Sequence, residues 1–319
     1  MEFQQSFYKS LQGKTTKEKF SDTIYLLKHT FLLFGNKLEI FRPIINMSIM
    51  SLIVLLMLLV SILILVFFPS YFLLGLIFLL IDLFVLYPFS FYYSVRQKFL
   101  ISAYAYKFAK GDKVALSDAA KEFKHTGSMI TIAFVDYLLS HANTKNSNKR
   151  SNFINVLLLM FFSFILEVWD LAKHFLIPAM IIEQKSLKEV VFRLKEVKRN
   201  IPATIVGVLG LDFMGQVMVM LLGGIFLIFL ALSFVLGILV AMISNALVFS
   251  IGALKISAIP LIVFVIIAIV IADVMKNFIS GVKTVYFTFF YMALVRPKEL
   301  NPLIRDEITK YLTFEHPKE

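Results

Sequence analysis

Six carboxylates lie inside or at the edge of long apolar runs: Asp82, Asp136, Glu167, Asp170, Asp212 and Asp273. A charged side chain near the centre of a bilayer costs at least about 2.5 to 3.5 kcal/mol, so such acids face a cavity, pair with a cation or take up a proton. Asp170, Lys173 and His174 stand at i, i+3 and i+4, which places them on one helical face, with Glu167 a turn earlier and Trp169 beside them. That stripe suits a cation, proton or headgroup site, or an ion pair at the membrane interface anchored by Trp169; the nearby Lys185 favours the ion pair. Asp82 has no partner in its own stretch and is the first choice for a residue facing a cavity or another subunit. Asp136 and Asp212 follow two echoing basic loops and suggest a pseudo-symmetric pair, while Asp273 and Lys276 read as an interfacial salt bridge.

Other chemistries lack their residues. The chain has no cysteine, which excludes disulfides and thiolate sites. Its five histidines never fall at a zinc-binding spacing, and Met214, Met218 and Met220 read as packing. The glycines have no Lys-Ser/Thr partner to make a phosphate cradle, and no nucleophile and base are brought together by spacing. The expectation is therefore no enzyme and no cofactor.

The elements that must position these acids are set by composition. A hydrophobic fraction of 59% and a mean hydropathy of +0.82 lie well above the soluble norm. The expected fold is an all-α transmembrane helix bundle of about six spans, since each crossing takes roughly 20 apolar residues. Residues 1–43 carry seven Lys/Arg and four Asp/Glu, with an interfacial helix at 20–34, and do not resemble a cleavable signal peptide. Spans are expected at 44–68 and, after Pro69-Ser70, at 71–95. A short apolar run at 129–140, a long one at 153–182, a Gly-rich stretch at 201–251 and a last span at 257–275 follow. Within 201–251 we read a lead-in at 203–215 and a span near 217–243, with a re-entrant hairpin as the alternative, then a loop holding Lys255. The scattered glycines are expected to allow close helix approach.

The basic loops at 96–128 and 183–200 carry amphipathic stretches, and Ser186 with Glu189 forms a capping box ahead of Leu187, Val190, Val191, Leu194 and Val197. Ser117 reads as the N-cap of the first of these stretches. The N-terminal segment, these loops and the chain from 276 onward hold 27 of the 32 Lys/Arg, which places all four, and both termini, on the cytoplasmic side of a cell membrane. The net charge of +11 thus reads as topology and as attraction to anionic headgroups, about 1 kcal/mol per basic residue, with no nucleic-acid motif. The expected organisation is 1–43 cytoplasmic or interfacial, 44–276 transmembrane, and 277–319 a cytoplasmic helix and tail.

Two segments echo each other. Lys98-Phe-Leu-Ile-Ser-Ala103 matches His174-Phe-Leu-Ile-Pro-Ala179, and Lys121-Glu-Phe-Lys-His125 matches Lys195-Glu-Val-Lys-Arg199. This spacing suggests a parallel internal repeat, with units near 71–140 and 152–243. The segment Glu167 to Glu183, with its upstream counterpart from Tyr92-Tyr93 to Asp118 and the aromatic run Tyr286 to Tyr291, resembles an uncharacterised family of multi-pass prokaryotic membrane proteins. A weaker similarity reaches the membrane domains attached to some glycerophosphodiester phosphodiesterases, without their catalytic domain. The resemblance implies a fold and no reaction. Two functional expectations follow: an oligomeric channel or transporter-like protein whose acids line a path, or a non-catalytic scaffold or accessory subunit with a membrane partner protein.

Overall fold

In the computed structural model the described residues are 38–112, 115–120, 126–146, 165, 169–170, 172–197, 223–224, 226–243, 248–251 and 254–302. The chain divides into two compact units, residues 1–210 with 280–319, and residues 211–279.

The first unit opens with α1 (Phe41–Phe67), a helix with no charge after Arg42. Pro69 cannot continue its hydrogen-bond ladder, so the chain turns through Pro69–Tyr71 into α2 (Phe72–Ile81). The two helices lie close at Gly75, where a Cβ would stand 2.9 Å from Leu65 Cγ. A π-helical segment, Asp82–Leu86, joins α2 to α3 (Tyr87–Lys110) without a break in direction. Pro88 explains it: proline offers no N–H to the carbonyl of Phe84 and its ring crowds that oxygen, so the ladder widens and Tyr87 N–H bonds Asp82 C=O instead. The expected second span at 71–95 is thus part of a helical run to Lys110.

Burial changes along these helices. From Ile49 to Phe89 most large apolar side chains face outward, among them Leu63, Phe67, Leu73, Phe84 and Val85. From Val95 the helix is enclosed, and Phe99, Ile101, Ala103, Tyr104, Ala105 and Ala109 are core. That core is completed by α5 (Thr126–Asn146), α6 (172–183), α7 (Leu187–Val197) and the final turns of α9 (Ile259–Val295); a short α4 (Leu116–Ala120) precedes α5. Ser117 lies inside α4 and does not cap it. Phe287 meets Phe175 edge-on with centroids 4.8 Å apart, and Ser102 shares a 2.8 Å hydrogen bond with Thr288. Gly281 lets α9 touch α1, since a Cβ there would meet Ile44 Cδ1 at 2.5 Å. Lys98–Ala103 and His174–Ala179, the two echoing segments, are both helical and, but for the half-buried Leu100, lie in this core. The capping box at the start of α7 is formed: Glu189 accepts from the Ser186 N–H and hydroxyl, both at 2.9 Å.

The end of α3 is clasped by the chain after α9. Asn301 N–H bonds Ala109 C=O at 2.8 Å, and Glu299 pairs with Lys110 at 2.8 Å and Arg296 at 3.1 Å. Gly111 closes α3 at φ +88, a left-handed conformation. Gly111→Val should therefore cost about 1 to 2 kcal/mol from backbone strain alone, read as a lower thermal midpoint in detergent. The Lys110 hydrogen bond holds the Glu299 carboxyl below its ordinary 4.5, so the clasp's contribution is present above that value and lost as pH falls through the lower folded one. Melts of the wild type and Glu299→Gln should differ at neutral pH and converge in acid.

The second unit contains α8 (Phe226–Ile243), the strands β1 (Val248–Ile251) and β2 (Leu254–Ser257), and the start of α9. The strands form an antiparallel hairpin pairing Val248 with Ser257 and Ile251 with Leu254. This corrects one expectation, since the loop holding Lys255 is a β-hairpin; the fold is otherwise all-α among the described residues. A Cβ on Gly237 would stand 2.8 Å from Ser257 C=O, a close approach, whereas among the described residues nothing stands within 4 Å of a Cβ on Gly223 or Gly224. Phe229 stacks on Phe264 at 5.0 Å.

Among the described residues four helices are long and apolar enough to cross a membrane: Phe41–Phe67, Pro69–Lys110, Phe226–Ile243 and Ile259–Met292, with a shorter apolar helix at Thr126–Ser140. Residues 203–215 and the interfacial segment 20–34 lie outside the described residues.

Candidate functional site

Of the acids read from the sequence, the described ones stand in three places: Asp136 with Asp170, Asp82 by itself, and Asp273. The first is a charge cluster where α5, α6 and α9 meet. Lys173 stands 3.2 Å from Asp136 on α5 and 3.0 Å from Asp170 one turn back on its own helix. Asp170 in turn faces Lys283 of α9 at 3.5 Å and His174 at 3.7 Å. Trp169 donates its indole N–H to Asp136 at 2.6 Å, and His174 Nδ1 lies 2.5 Å from the Asp170 carbonyl. Lys173 and Asp136 are each 13% exposed, whereas Asp170 is 40% exposed and opens the cluster to its surroundings. Below it, Tyr291 hydrogen-bonds Glu183, which also pairs with Lys185 at 3.7 Å.

Asp170, Lys173 and His174 do share one face, and Asp170 pairs with Lys173 at 3.0 Å. Two members could not be read from spacing. Asp136 joins from 37 residues upstream of Lys173 and Lys283 from 113 residues downstream of Asp170. Asp136 is tied to α6 in this way; Asp212, its expected symmetric partner, lies outside the described residues, as does Glu167. Asp273 accepts a 2.9 Å hydrogen bond from the Asn277 amide, a partner four residues on that the expected pairing with Lys276 overlooked.

The second place is Asp82. It opens the π segment, is 4% exposed, and its Oδ1 has no hydrogen-bond partner. It is the only charged residue between Arg42 and Arg96. Among the described residues no group of three or more His, Asp or Glu could hold a metal ion.

Large outward apolar faces on helices of this length are incompatible with water and fit a lipid surround. This is the pattern of a multi-pass membrane protein. No family model, curated protein or solved structure matches the chain, so the resemblances to the uncharacterised prokaryotic family and to phosphodiesterase-type membrane domains gain no support.

Proposed function

We propose that the chain is a non-catalytic membrane protein whose first unit builds a helical platform at one face of the bilayer, acting as a scaffold or accessory subunit. The observation that carries this reading is the change of burial along Pro69–Lys110. Its 42 residues amount to about 63 Å at 1.5 Å per residue, twice the roughly 30 Å of hydrocarbon. The outward apolar stretch to Phe89 matches one crossing, and Arg96 is the first exposed charge beyond it. The enclosed turns from Val95 then extend past the bilayer with α6 and the end of α9, and the paired charges Asp136, Lys173, Asp170 and Lys283 fasten that platform. Basic residues concentrated in 96–128 and 183–200 favour the cytoplasmic side and anionic headgroups.

The test is native mass spectrometry of the chain extracted at its natural expression level, beside solute flux in vesicles containing the purified protein. A second chain in fixed stoichiometry and no flux are expected. A partner-free species that carries solute would overturn the reading. Transport is the second reading, and Asp82 is what favours it: a buried acid in the outward-facing apolar stretch, as proton- and ion-coupled carriers need.

A further inference from the structure

We propose that Asp82 is a proton-binding site of this membrane protein, a carboxylic acid whose ligand is the proton itself. The inference stands on the surroundings of Asp82 and is independent of the platform reading. Thirteen residues beyond Pro69, about 20 Å along the helix, Asp82 lies about two-thirds of the way through a hydrocarbon layer of roughly 30 Å, well inside it. Among the described residues the elements packed most extensively on its segment are α1, α2 and α3. α1 carries no titratable side chain after Arg42, α2 carries none, and the nearest on α3 is the Tyr87 phenol. No cation among these helices balances a carboxylate at 4% exposure with an unpartnered oxygen. A buried anion left alone is far costlier than a neutral acid, so the group keeps its proton. The π segment supplies the means of exchange. Its ladder is already widened by Pro88, and π-bulges are where helices accommodate a functional side chain, so local parting of the segment from α1 can admit water to the acid.

The experiment labels the purified protein in lipid nanodiscs at pH 7 with the apolar reagent dicyclohexylcarbodiimide. The carboxyl proton passes to a carbodiimide nitrogen, the carboxyl oxygen bonds the central carbon, and acyl migration from oxygen to nitrogen leaves a stable N-acylurea holding every atom of the reagent. An acid with ordinary solution behaviour is about one part in a thousand protonated at pH 7, so Asp82 should react about a hundredfold or more faster than the exposed Asp112. Peptide mass spectrometry should find the adduct on Asp82 and none in Asp82→Asn. The infrared difference between the two proteins should contain a carboxylic acid C=O band lost in the variant, which folds as well as the wild type because Asn is neutral and of the same shape. Labelling of Asp82 by a water-soluble carbodiimide in place of the apolar one would overturn the proposal. So would a difference spectrum holding only carboxylate bands, or a large loss of stability in Asp82→Asn, since each signals a charged and partnered group.

Discussion

Replacing Lys173 by methionine should destabilise the first unit by about 3 to 5 kcal/mol, the usual result of removing one partner of a buried ion pair. Methionine keeps the length and apolar stem of lysine, so the loss reports charge and not volume. Among the described residues Asp136 would be left 13% exposed with only the Trp169 indole N–H as a partner, while Asp170 keeps Lys283. The double variant Asp136→Asn with Lys173→Met should recover more than half of the loss, because Asn preserves the acceptor for Trp169 and leaves no unpaired charge. Thermal midpoints of the three proteins in one detergent make the comparison. A shift in Lys173→Met of less than about 1 kcal/mol would instead describe a solvated surface pair and remove the fastening role assigned to the cluster.

What was legible in the sequence was local. Pro69 ends α1 because proline breaks the ladder wherever it falls, and Ser186 with Glu189 starts α7 because the capping bonds close within one turn. The Asp170, Lys173 and His174 stripe follows from helical spacing alone. Asp136 and Lys283 escaped because their encounter depends on how α5, α6 and α9 pack, and no periodicity encodes a contact across 113 residues. The burial of the end of α9 was only partly legible. Residues 277–319 read as a cytoplasmic helix and tail, but nothing in the composition of Tyr286 to Met292 says which helices cover it. One signal was available and missed: Pro88 within an otherwise helical run forces a local change of hydrogen bonding, which here is the π segment that begins at Asp82. The β-hairpin was hidden because Val248–Ile251 and Leu254–Ser257 are short apolar runs beside helices of the same composition.

Phe287→Ala should produce a loss as large, about 3 to 5 kcal/mol, from a different cause. Its ring is fully buried among Phe175, His174 and Tyr286, at centroid distances of 4.8, 5.5 and 5.4 Å, and truncation leaves a cavity at the junction of α6 and α9. Phe192 on α7 is the counterpart that separates packing from association. It is 73% exposed beside the exposed Val191, so Phe192→Ala should change stability by no more than about 0.5 kcal/mol. If α7 lies on the bilayer as its basic and apolar residues suggest, that variant should instead weaken binding of the isolated 183–200 peptide to vesicles containing anionic lipid. A stability loss in Phe192→Ala equal to that of Phe287→Ala would mean that the outward face of α7 is core, and that the platform continues beyond it.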